Sequence, residues 1–159
     1  LGTQYKHHYS KEVLANLIYG PSAISLEYAL FYYGLIPERV EVLTSICFKR
    51  NKKFITDLGL FTYKYIAEEL FPIGIQHQQS KEGNFLIASK EKALCDVIYF
   101  AKLKSEEDVI KHVTESLRIE EEDLSKLDFS LLAKLAKIYR RSAVVHLVSE
   151  LTLLKGQTQ

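Results

Sequence analysis

The sequence predicts an α+β protein: two N-terminal helices, a small antiparallel sheet of about five strands, and a helical C-terminal half. Three observations carry this. Apolar residues recur at helical spacing up to Tyr33, alternate with polar ones across much of Val40–Ala88, and return to helical spacing from Ser89 onward. A length of 159 residues suits one domain, taken as 1–159 with 105–159 as its helical part.

Each element has start and stop signals. Ser10 is placed to cap a helix carrying Val13, Leu14, Leu17 and Ile18, which Gly20-Pro21 ends. A second helix begins near Ser22 or Ser25, sets Leu26, Ala29, Leu30 and Tyr33 on one face, and stops at Gly34. Val42, Ile46 and Phe48 then share a strand face, Arg50-Asn51-Lys52 suits a turn, and Phe54-Ile55-Thr56 resumes an extended run. Asp57-Leu58-Gly59 offers another turn before Phe61, Tyr63 and Tyr65, so a three-stranded antiparallel meander with a basic hairpin tip is expected. Pro72 and Gly74 precede a second hairpin, Ile75–Gln78 with Phe85–Ala88.

Ser89 is placed to cap the clearest helix, with Ala93, Leu94, Val97, Ile98 and Ala101 in phase. Ser105 with Asp108 opens a helix carrying Val109, Ile110, Val113 and Leu117. Asp128 or Ser130 opens one with Leu131, Leu132, Leu135 and Ile138, and Ser142 one with Val144, Val145, Val148 and Leu151. The end, Gly156–Gln159, is expected to fray.

Composition narrows the function classes. With 47% apolar and 26% charged residues the chain is neither disordered nor collagenous. It has no apolar run of membrane-spanning length and no apolar signal core, so no membrane partner and a cytoplasmic location are expected. The sequence contains no methionine, which suggests that something upstream has been removed. Cys47 and Cys95 lie in apolar segments without C-x-x-C spacing, as buried free thiols do.

Motifs for cofactor or covalent chemistry are missing: no G-x-G-x-x-G, P-loop, G-x-S-x-G or H-E-x-x-H occurs, so no cofactor is expected. No two of the five histidines are spaced i, i+4, and His7-His8 near the terminus is read as incidental. The one carboxylate constellation resembling a metal-dependent nuclease joins Asp57 and Lys64 with Glu27 or Glu69, and Asp57 is better explained by its turn. Asp96, between Leu94 and Val97, is read as a buried tether whose partner is a tyrosine or lysine. Arg140-Arg141 suit a helix C-terminus, with a phosphate contact as a secondary role, and Glu120–Asp123 suit a first helical turn.

Charge is uneven. Residues 39–65 carry six basic and two acidic side chains, whereas 105–128 carry three basic and nine acidic. Lys49, Arg50, Lys52 and Lys53 have no reason to pack in a core. They suit an acidic protein surface or the phosphates of DNA or RNA, with Phe61, Tyr63 and Tyr65 as possible stacking partners.

Several segments together resemble one family. Pro21–Leu30 followed by Tyr33–Glu38, then Thr44-Ser45 with the basic hairpin, Leu58–Phe61 with Tyr63, and Ser89–Asp96 resemble, in order and spacing, the AbiEi-type abortive-infection antitoxins of bacterial type IV toxin-antitoxin systems. The resemblance covers about residues 10–100, with a looser helical match to about 154. It implies a non-enzymatic antitoxin and transcriptional regulator that counteracts a nucleotidyltransferase-like toxin or protects its target in phage defence. It also implies an N-terminal winged helix, and the sequence is expected to begin at about the point where that domain would end. Of the matched residues, Lys49, Arg50, Lys52 and Lys53 are the expected contacts. Ser25, Glu27, Gly34, Pro37, Gly59 and Asp96 are expected to hold the fold, and no oligomeric state follows.

Overall fold

A computed structural model describes residues 9–157, so His7-His8 and the last two residues of the expected frayed end lie outside the described residues. The α+β class and the helical C-terminal half are as the sequence predicts. α1 (Lys11–Ile18) starts where Ser10 Oγ accepts from Val13 N. A cis Gly20–Pro21 bond follows, then β1 (Ser22–Ile24) and α2 (Leu26–Tyr32), which Gly34 ends at φ +77°. The sheet continues with β2 (Leu43–Cys47), β3 (Lys52–Thr56), β4 (Gly59–Tyr65), β5 (Ile75–Ser80) and β6 (Gly83–Ala88). Helices α3 (Lys90–Ala101), α4 (Glu106–Lys111), α5 (Glu121–Ser125), α6 (Phe129–Tyr139) and α7 (Ser142–Gln157) complete the described residues.

The sheet differs from the expectation in two ways. It is mixed, with six strands in the order β3-β4-β2-β1-β6-β5, and β2 pairs with β4 in parallel. The predicted β2–β3 hairpin is therefore absent: β4 lies between them and pairs antiparallel with β3. Two interstrand spacings of about 4.8 Å separate β2 from β3, a gap that residues 48–51 can bridge. Ser22–Ile24, read from sequence as a helix start, forms β1 between β2 and β6.

Register assigns the layers. Tyr63 stands opposite Ser45 and Lys64 opposite Ile46, and successive side chains point to opposite faces. The Tyr63 hydroxyl donates to Ala15 O on α1, while the Lys64 ammonium lies 5.3 Å from the Phe100 ring centroid on α3. So α1 covers one face of the sheet and α3 the other. This explains why β2 does not alternate: Leu43, Ser45, Ile46 and Cys47 are all buried because both its faces are covered.

α3 packs against α2, α6 and α7, and α7 against α4, α5 and α6. A single hydrophobic cluster runs from Val13 to Leu151. The caps of α3, α4 and α6 are those predicted: Ser89, Ser105 and Asp128 each accept from the backbone N–H three residues on. In α7 the buried seam is Val144, Leu147, Val148 and Leu151, with Val145 exposed. Leu17 of α1 is likewise exposed, because that helix turns Val13 and Ala15 inward.

The helix expected through Leu117 changes character at His112, where residues His112–Ser116 form a π-helical turn closed by Leu117 N donating to His112 O at 2.8 Å. Val109, Val113 and Leu117 are all buried at i, i+4, i+8. That spacing drifts around a 3.6-residue helix, and the wider turn holds all three toward the core. No helix among the described residues is long and apolar enough to cross a membrane.

Candidate functional site

The basic residues predicted from sequence sit on an edge of the sheet and not on a hairpin tip. Lys49 and Arg50 lie in the connection between β2 and β3, and Lys52 and Lys53 lie on β3, the edge strand. All four are exposed. The connection is held by its neighbours: Asn51 Oδ1 accepts from Tyr65 N at 2.7 Å, and the Tyr19 hydroxyl donates to Arg50 O at 3.4 Å. The Lys49 ammonium lies 5.7 Å from the Tyr19 ring centroid.

Among the described residues, none of these four cations forms an ion pair, and neither does Lys64. Lys52 and Lys53 point to opposite faces, so they flank the edge, a common protection against edge-to-edge aggregation. Lys53 pairs with Thr62, placing it on the same face as Lys64. A shallow depression of about 380 Å³ is lined by Asn51, Lys52, Lys53, Thr62, Tyr63 and Lys64.

The structure extends this surface to the secondary candidates. Lys64 lies over Phe100, Phe100 and Tyr99 are neighbouring rings 5.1 Å apart, and the Arg141 guanidinium lies 4.3 Å over Tyr99. Arg140 caps α6 in a left-handed conformation at φ +53°, and it lines a groove of about 540 Å³ with Glu69, Lys137 and Tyr139. Cationic side chains thus continue from β3 to the α6–α7 junction. Sequence reasoning missed Lys64 as part of this surface, because its link to Arg141 runs through the Phe100 and Tyr99 rings of α3 and exists only in the folded chain. Of the three aromatic side chains considered for stacking, Phe61 and Tyr63 are core, and only Tyr65, 49% exposed, faces water.

The expected Asp96 tether is present and more extensive than predicted. Ser25 Oγ donates to Asp96 Oδ2 at 2.6 Å and the Tyr139 hydroxyl donates to Asp96 Oδ1. The Lys92 ammonium donates to that same hydroxyl at 2.8 Å and to Leu70 O at 2.6 Å. Ser25 therefore serves as the link from β1 to α3, with no side-chain cap on α2. Burial pushes the Asp96 carboxyl above its ordinary range, opposed by Lys92 and by the two hydroxyl donors. Burial pulls the Lys92 ammonium down, opposed by Asp96, and raises the Tyr139 phenol. Ser25, Lys92 and Asp96 are fully buried, so this network joins β1, α3 and α6 inside the core.

The nuclease-like constellation is not assembled. Asp57 occupies the β3–β4 turn, whereas Lys64 lies five residues along β4 from Gly59. That turn is tied by Thr56, whose hydroxyl accepts from Leu58 N at 3.1 Å and donates to Gly59 O at 3.0 Å. No group of three or more His, Cys, Asp or Glu with metal-holding geometry occurs among the described residues. Both cysteines are buried free thiols. The chain matches no protein-family model and no curated protein.

Proposed function

We propose that this chain is the non-enzymatic antitoxin and regulator of a bacterial type IV abortive-infection system, counteracting a nucleotidyltransferase-like toxin in the cytoplasm. The contact surface is the cationic strip formed by Lys49, Arg50, Lys52, Lys53 and Lys64 and continued by Arg140 and Arg141. The observation carrying this reading is that five cations lie exposed on the edge strand β3, the connection before it and the neighbouring strand β4, without ion pairs among the described residues. Such unpaired charge steers association with an oppositely charged partner. The ordered segments resembling AbiEi-type antitoxins supply the biological setting.

The reading requires a nucleotidyltransferase-like toxin encoded beside this gene. Co-expression of the two restores growth that the toxin alone arrests; continued arrest, with the chain shown to be folded and present, refutes the antitoxin role.

A second reading, a nucleic-acid-binding regulatory module, is favoured by exposed Tyr65, which shares the sheet face of Lys52, since an aromatic ring on the same face as a cation is a stacking platform. It requires affinity for duplex or single-stranded nucleic acid whose log falls against log salt by about 0.9 per duplex phosphate neutralised, or about 0.7 for single strands. Absence of binding at low salt removes it.

A further inference from the structure

A second surface of opposite chemistry lies at the far end of the chain. The π-helical turn, α5 and the C-terminal half of α7 enclose a groove of about 220 Å³ floored by Ile110, Val113, Ile119, Leu124, Leu151 and Leu154. An apolar cavity of about 150 Å³ already accepts benzene, so this groove has room for a large apolar side chain. Leu153, on its wall, is 60% exposed, an apolar group left in water. The wall itself is irregular: the π turn contributes Val113 and Thr114, and such turns occur frequently at functional sites.

The surroundings of the groove are acidic. Glu121 and Glu150 line it, within a region where residues 105–128 carry nine carboxylates. The three cations of that segment are already engaged: Lys111 with Glu107, Lys126 with Glu122, and Arg118 with Glu38. Glu115, Glu120, Glu121 and Asp123 have no ion-pair partner among the described residues.

We infer that this groove docks a cationic amphipathic segment of a partner protein, one large apolar side chain entering the groove while flanking lysines or arginines meet the carboxylates. Charge complementarity selects this occupant. The inference rests on different residues from the cationic strip and stands or falls separately from the antitoxin reading.

The test uses the full chain and a labelled helical peptide of leucine and lysine, with two counterparts: serine for leucine, and glutamate for lysine. The leucine-lysine peptide binds and shifts the amide resonances of Val113, Thr114, Ile119 and Leu124, and both counterparts bind at least about tenfold more weakly. Leu153→Lys and Glu121→Lys each reduce its affinity by about tenfold, the effect of losing roughly 1.4 kcal/mol, while the melting temperature stays within a few degrees because both positions are exposed and the first-turn charge of α5 is worth only about 0.3–1 kcal/mol. No binding, equal binding of the serine peptide, or shifts confined to other surfaces would overturn the inference. Sedimentation showing self-association that Leu153→Lys abolishes would assign the groove to a second copy and overturn it equally.

Discussion

Tyr139→Phe removes one oxygen and leaves the ring in place, still packed edge-on against Tyr99 at 5.5 Å between centroids. That oxygen donates to Asp96 and accepts from Lys92, both fully buried. Hydrogen bonds to charged groups are worth about 1.5–3 kcal/mol each, and water cannot replace them here, so the substitution costs about 3–6 kcal/mol. Set against a typical stability of about 5–15 kcal/mol, that is a large fraction. At roughly 2–4 °C per kcal/mol for a domain of this size, melting falls by about 6–24 °C. Urea unfolding gives the free energy directly, with an unchanged slope showing that stability has changed and the compactness of the end states has not. Coupling supplies a second check. Lys92→Met alone strands a buried carboxylate and costs more than Lys92→Met combined with Asp96→Asn, in which neither site is charged. A Tyr139→Phe loss below about 1 kcal/mol would refute the claim that this network ties α3 and α6 to the sheet.

Further outcomes follow from burial and backbone geometry. Burial raises the phenols of Tyr33 and Tyr63 to about 12, and those of Tyr28 and Tyr139 further still. Folded-state values above the unfolded value near 10 mean that stability is fully present below pH 10 and falls as pH rises toward 12. Phenolate absorbance of the native protein at pH 11 therefore stays short of the ten-tyrosine total until the chain unfolds. Cys47 and Cys95 are buried, and burial raises the Cys95 thiol, so a thiol reagent such as DTNB reacts with neither in the native state and with both in denaturant. Gly74 has φ +81°, and a Cβ there would meet Lys92 Cβ at 3.0 Å and Ser89 Oγ at 3.3 Å. Gly74→Ala is accordingly destabilising by about 1–3 kcal/mol in urea unfolding.

What was legible in the sequence was local. Capping residues such as Ser10, Ser89, Ser105 and Asp128 mark helix starts through short-range hydrogen bonds, and the structure uses each of them. Strand pairing was less legible. Proximity in sequence favours a β2–β3 hairpin, but the insertion of β4 depends on side chains far apart in the chain, such as the Thr44–Thr62 hydroxyl pair at 2.7 Å. β1 was missed because three buried residues are too short a run to show a period. At the candidate site, a cluster of cations with no packing role was enough to anticipate exposure of Lys49, Arg50, Lys52 and Lys53. Their extension through Lys64 to Arg141 was not, since it depends on stacking over Phe100 and Tyr99. Asp96 was legible as a tether because a carboxylate on an apolar helix face requires a partner; Lys92, one turn away, gave no such signal, being indistinguishable by type from a solvated lysine.

The proposed productive contact is the cationic edge. The decisive experiment is growth rescue in cells expressing the nucleotidyltransferase-like toxin, comparing the natural chain with Lys49→Glu, Arg50→Glu, Lys52→Glu and Lys53→Glu combined. These side chains are exposed and outside ion pairs among the described residues, so the variant keeps its melting temperature within a few degrees. If the cationic edge makes the contact, this folded variant no longer rescues growth; rescue equal to that of the natural chain rules the edge out.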